Sequence, residues 1–206
     1  FDTVAGHLPD SVLVGDFTGD GLDDILYRVT YAGGYQPIYL HRAEKTASGA
    51  GGVAFAAGVE VNAPGTEFSV VDLTRSRAAD LDGDGRSEIL AALDPNLSNG
   101  NVYPEAGHIA FAWDGDAEQF VIPAGAKFIP GDTGLDVIQL SDANGDGLLD
   151  LFREEPDLGE GSGAADLGTW RLALNDPAHP GTFLPFADTG LLSVQGGLAR
   201  AMDIDG

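Results

Sequence analysis

Cysteine is absent from the 206 residues. Disulfide scaffolds, thiolate zinc sites and thiol chemistry are therefore excluded. Basic residues are scarce, with ten Lys+Arg against 33 Asp+Glu and a formal net charge of −23. A surface this acidic argues against nucleic-acid backbones and anionic membranes, which require basic patches. It favours cations as partners. No apolar run reaches the roughly 18 residues of a membrane span, so no such span is expected. Nor is there H-x-H or H-E-x-x-H spacing among His7, His41, His108 and His179. No G-x-S-x-G elbow or P-loop is present. The expectation is a protein that is not an enzyme, with histidines in structural roles.

What the chain does contain is 43% hydrophobic residues and 30 glycines. The first supports a packed core, and the second many turns between short strands. An internal repeat follows. Residues 15–24 read GDFTGDGLDD, 79–88 read ADLDGDGRSE and 141–150 read SDANGDGLLD, while 202–206 begin the motif again as MDIDG. The first acids are Asp16, Asp80, Asp142 and Asp203, so subtraction gives periods of 64, 62 and 61. Such a period marks a repeat architecture.

Each period has the same rhythm. A lead-in (Val12 to Val14, Val137 to Leu140, Leu198 to Met202) precedes the acidic loop. An apolar stretch follows it: Ile25-Leu26-Tyr27, Ile89-Leu90, Leu151-Phe152. Then comes an alternating segment carrying Ile38 and Leu40, or Ile109, Phe111 and Trp113, or Trp170, Leu172 and Leu174. Period-two alternation predicts strands. A closing stretch covers Val53 to Ala56, Phe120 to Ile122 and Phe183 to Phe186. Helical periodicity is not evident. The segment from Glu67 to Asp72 reads as an extra strand or an extended linker. Four short strands per period make a small antiparallel sheet that must stack on its copies, as the blades of a β-propeller do. The stretches 94–107 and 155–168 read as rim loops, and Trp113 and Trp170 as core between blades rather than as a sugar platform. Asn96-Leu97-Ser98 is a glycosylation sequon.

The acidic motif is D-x-[D/N/T]-x-D-G-x-x-[D/E], with oxygen side chains at positions 1, 3, 5 and 9. These are Asp16, Thr18, Asp20 and Asp24; Asp80, Asp82, Asp84 and Glu88; and Asp142, Asn144, Asp146 and Asp150. A hard divalent cation takes six to eight oxygens at about 2.3–2.6 Å. Glycine at position 6 permits the sharp turn. Position 7 (Leu22, Arg86, Leu148) offers its backbone carbonyl, which leaves its side chain free to vary. An EF-hand would need a bidentate Glu at position 12 and flanking helices. Position 12 is Tyr27, Ala91 or Arg153, and strand formers flank the loops. The expected cofactor is Ca2+, at about three sites, in hairpins between strands.

GDFTGDGLDDILYR, ADLDGDGRSEIL and SDANGDGLLDLF resemble FG-GAP/VCBS repeats, the calcium-binding blades of integrin α-subunit propellers. The resemblance spans the chain as three repeats. It implies an all-β partial propeller: three four-stranded antiparallel blades in an open arc, part of a seven-bladed ring. The loop joining strands one and two of each blade would carry calcium, with the twelve oxygen side chains named above as ligands. Residues 1–206 are expected to form one propeller fragment with repeats at 11–74, 75–135 and 136–197, and 198–206 starting a fourth. The implied function is a calcium-binding repeat module for adhesion, recognition or shell-building within a larger secreted protein. Such repeats occur in bacterial surface, toxin-complex and Rhs-type proteins, so an extracellular or cell-surface location in a bacterium is implied. Expected partners are calcium, neighbouring blades of the parent chain, and a protein or glycan ligand. The alternative is an accessory or catalytic propeller of a carbohydrate- or lipid-active enzyme, which would require a convergent polar cluster in the loops between blades.

Overall fold

The computed structural model describes residues 9–31, 36–46, 52–63, 66–93, 107–130, 138–155 and 167–194. Most of both rim-loop stretches, the fourth-repeat start, His7 and the sequon lie outside them. The described chain is all-β and antiparallel. Its strands are β1 (Pro9–Gly15), β2 (Asp24–Val29), β3 (Ile38–His41), β4 (Ala43–Lys45), β5 (Val53–Phe55), β6 (Val59–Glu60), β7 (Val71–Ala79), β8 (Glu88–Leu93), β9 (Gly107–Asp114), β10 (Gln119–Val121), β11 (Ile129–Pro130), β12 (Ile138–Ser141), β13 (Asp150–Glu155), β14 (Leu167–Ala173) and β15 (Ala187–Val194). Three sheets of propeller-blade type result, with orders β1-β2-β3-β6, β7-β8-β9-β10 and β12-β13-β14-β15. β11 adds to the second sheet by pairing with β9, and β4 and β5 form a separate two-stranded ribbon.

Two compact units result: Phe1–Asp80 with Asp84–Thr133, and Leu81–Gly83 with Gly134–Gly206. The first unit holds the first two sheets, with β1 packed against β7. Leu26, Ile38 and Leu40 from the first sheet and Leu73, Ile89, Ala91, Ile109 and Phe111 from the second join one core. β8 is buried along its whole length, and the continuous apolar run Ile89–Leu93 that follows Glu88 fits a strand with both faces covered. Trp113 belongs to this core, as its alternation predicts.

The structure corrects three sequence expectations. Val53 to Ala56 does not close the first blade. Val53–Phe55 pairs with β4 instead, and the fourth place in the sheet falls to Val59–Glu60 against Tyr39 and Leu40. Val53 and Phe55 are exposed, so an apolar composition was a poor guide to sheet membership there. Phe183 to Phe186 does not close the third blade either. Phe183 makes only an isolated bridge to Asn175, and Ala187–Val194 takes the fourth place. Thirdly, Glu67–Val70 is a single 3-10 turn. It exists because Phe68 plugs the core, fully buried, stacked on Phe120 at 4.8 Å and edge-on to Phe111 at 5.1 Å.

The second unit is built on β12 to β15. Leu151 and Ala173 are completely buried and face one another across β13 and β14. Trp170 is buried on β14. Asn175, just past β14, is also buried. Its side-chain amide donates to the Leu81 carbonyl at 2.7 Å and the Leu149 carbonyl at 3.1 Å.

Candidate metal centre

All three acidic motifs occupy the same structural place, the loop joining the first two strands of a sheet. β1–β2, β7–β8 and β12–β13 flank them, and no flanking element is a helix. The local fold follows from the sequence. Residues at positions 4 and 6 are glycines with φ between 76° and 88° in every loop: Gly19 and Gly21, Gly83 and Gly85, Gly145 and Gly147. Only glycine adopts this left-handed backbone without cost. The requirement at position 6 was legible from the motif. The requirement at position 4 is equally present in the sequence, since all three loops carry Gly there.

The first-position acid organises each turn. The position 6 amide donates to it at 2.8 Å (Gly21 to Asp16), 3.0 Å (Gly85 to Asp80) and 2.9 Å (Gly147 to Asp142). Asp16 also accepts from Gly19 at 2.7 Å, and Asp142 from Gly145 at 2.7 Å. These amides favour the charged carboxylate and hold Asp142 below the usual Asp range, the Gly147 amide contributing most. The position 5 acid accepts from the position 7 amide, at 2.9 Å for Asp20 and Leu22, 2.8 Å for Asp84 and Arg86, and 2.9 Å for Asp146 and Leu148. Asn144 exchanges hydrogen bonds with Asp146, donating from its amide at 2.9 Å and accepting from the Asp146 backbone at 3.0 Å.

Position 9 is buried in every loop: Asp24, Glu88 and Asp150. The two aspartates hold the hairpin together. Asp24 accepts from Phe17 and Thr18 at 3.1 Å and from Ala43 at 2.8 Å. Asp150 accepts from Ala143 and Asn175, each at 2.8 Å. Burial nonetheless raises the Asp24 pKa, outweighing the backbone amides that lower it. Thr18 Oγ1 is buried beside this carboxylate without a hydrogen bond of ordinary geometry.

Glu88 is one methylene longer, and the second loop differs accordingly. Carboxylate oxygens of Asp80, Asp82 and Glu88 all lie within 4.8 Å of one another. Asp84 is not in that group. It is turned to Arg86, whose guanidinium donates to its Oδ2 from Nη2 at 2.7 Å and from Nε at 3.0 Å. This pairing, more than any other interaction, lowers the Asp84 pKa. Among the described residues no histidine joins that group. His41 and His108 are buried, and His179 pairs with Asp176 at 3.0 Å.

Sequence reasoning missed two features. Position 2 is a core anchor in two loops, since Phe17 and Leu81 are buried completely or nearly so while Ala143 is exposed. The position 7 side chain is not free in the second and third loops. The Arg86 stem lies over Gly19, where an added Cβ would sit 2.6 Å from its Cγ and Cδ. Leu148 likewise covers Gly83, at 3.4 Å from such a Cβ. The signal for the second feature was the absence of any side chain at position 4, which leaves room for a neighbour.

Residues 8–55, holding the first loop and β1 to β5, match the family model of the FG-GAP repeat. That stretch is accordingly similar to a repeat of a β-propeller-like module. No curated protein and no solved structure matches the chain. No helix among the described residues is long and apolar enough to cross a membrane.

Proposed function

We propose that the chain is a calcium-binding repeat module, non-enzymatic in itself, that serves adhesion or recognition within a larger secreted protein. The observation that carries this reading is the convergence of Asp80, Asp82 and Glu88 to within 4.8 Å inside one nine-residue loop. Three carboxylates so close repel one another in the absence of a cation. A divalent ion removes the repulsion, and an all-oxygen donor set suits a hard cation.

The other two loops support the same reading through their donor chemistry. Thr18 Oγ1 is a buried oxygen beside the Asp24 carboxylate. Asp20 in the first loop, and Asn144 and Asp146 in the third, are exposed and oxygen-bearing. Calcium fits better than magnesium, which demands near-octahedral geometry and keeps several waters. Three ions would move the formal charge from −23 to −17, by adding two charges each. Affinity in the extracellular class, roughly 10⁻⁴–10⁻³ M, suits a secreted protein.

The test is a melting curve recorded in EDTA and again in millimolar calcium. A ligand that binds only the folded chain raises its midpoint by mass action. An unchanged midpoint would sink the proposal.

A further inference from the structure

We infer that Arg86 is a built-in competitor for the cation of the second loop, and that it sets that loop's affinity below what its carboxylates alone would give. This rests on the calcium reading above.

Position 7 is Leu22 in the first loop and Leu148 in the third, but Arg86 in the second. Its guanidinium is not loose. Two of its nitrogens hold Asp84 Oδ2, at 2.7 and 3.0 Å, and its backbone amide holds Asp84 Oδ1 at 2.8 Å. Both oxygens of the position 5 acid thus face Arg86, while positions 1, 3 and 9 converge without it. The stem is held as well, because it lies along the bare Gly19 of the first loop. Next in sequence, the Ser87 amide donates to the Asp16 carbonyl at 2.7 Å, which anchors the backbone on the same side.

The consequence is chemical. A cation that recruits Asp84 must displace a fork-shaped guanidinium that already neutralises it. It must also accept a fixed positive charge a few ångströms away. The pair is partly exposed, with side-chain accessibilities of 49% for Arg86 and 35% for Asp84. The penalty is therefore that of a surface ion pair. That corresponds to about a fivefold weakening of affinity, the upper end for exposed pairs. The second loop would fill at higher calcium than its three converging carboxylates suggest, giving the module a graded rather than uniform response.

The experiment is a calcium titration of the full chain followed by NMR. The Gly21, Gly85 and Gly147 amides each report on one loop, because each donates to that loop's first acid. Arg86→Met removes the charge and keeps a stem over Gly19; Arg86→Gln is a second neutral variant should the first fold poorly. Both should move the Gly85 midpoint to about fivefold lower calcium and leave Gly147 unmoved. Arg86→Lys, which retains the charge but not the fork, should fall between the parent and the neutral variants. A Gly85 midpoint unchanged in both neutral variants would overturn the inference while leaving the calcium reading intact. No amide shifting at any calcium concentration, in any variant, would overturn both.

Discussion

The Ser87 amide donates to the Asp16 carbonyl across 2.7 Å, tying the eighth residue of the second loop to the first residue of the first. The approach is possible because Gly15, next to Asp16, has no side chain. An added Cβ there would meet Ser87 Oγ at 2.7 Å and Ser87 Cβ at 2.9 Å. Gly15→Ala should therefore destabilise the chain by about 1–3 kcal/mol, the usual cost of overpacking. Ser87→Gly introduced alongside should recover part of it. Denaturant unfolding of the two single variants and the double variant measures the coupling, and simple additivity would refute the steric account.

Glu88→Gln should silence one loop. It neutralises one of three converging carboxylates, so the Gly85 amide should lose its response to calcium while Gly21 and Gly147 keep theirs. At ten times the Kd, each site stabilises the fold by about 1.4 kcal/mol. The calcium-induced rise in melting midpoint should shrink by roughly a third if the three loops contribute equally. An undiminished Gly85 response would show that Glu88 is not a ligand.

The aromatic plug offers a test free of metal. Phe68 sits between Phe111 and Phe120, and Phe120 also receives Phe17 and Trp113. Phe68→Ala should cost about 3–5 kcal/mol, the range for a large aromatic removed from a core. The loss should be the same in EDTA and in calcium, since Phe68 lies outside the loops. Chemical denaturation under both conditions would check this.

Buried polar satisfaction governs the second unit. Asn175→Ala removes donors to the Leu81 and Leu149 carbonyls and an acceptor for the Gly181 amide. Unpaired buried groups cost about 1–3 kcal/mol. The expected loss is in that range, visible as faster hydrogen exchange at Gly181. Retained protection there would contradict the assignment.

Loop carboxylates should titrate in a fixed order without calcium. Asp142 is held below the ordinary aspartate value of 3.8 by backbone amides, and Asp24 is held above it by burial. A depressed acid adds stability above its unfolded pKa and loses it as pH falls through the folded value. Asp142 thus favours the fold above about pH 4 and ceases to do so in acid. Asp24 acts oppositely: its contribution is full below 3.8 and is lost as pH rises through its higher folded value. Carboxyl carbon NMR should find the Asp142 midpoint lower than that of Asp24. The reverse order would refute both causes.

The sequence by itself determined the loops and their flanking strands. Asx-type turns need only the acid, the left-handed glycines and the amides within nine residues, so their geometry is local. Alternation placed β3, β9 and β14 for the same reason. Tertiary structure decided whatever depends on distant partners. It chose Val59–Glu60 over Val53–Ala56 for the first sheet's fourth strand, because sheet membership is settled by which edge is free to pair. It set Phe68 into the core through a 3-10 turn that no periodicity announces. It turned Asp84 towards Arg86 and laid the Arg86 stem on Gly19, 67 positions earlier in the chain by subtraction. The reason is physical: a motif records which oxygens are available, while charge pairing and close packing between loops decide which of them face the same centre.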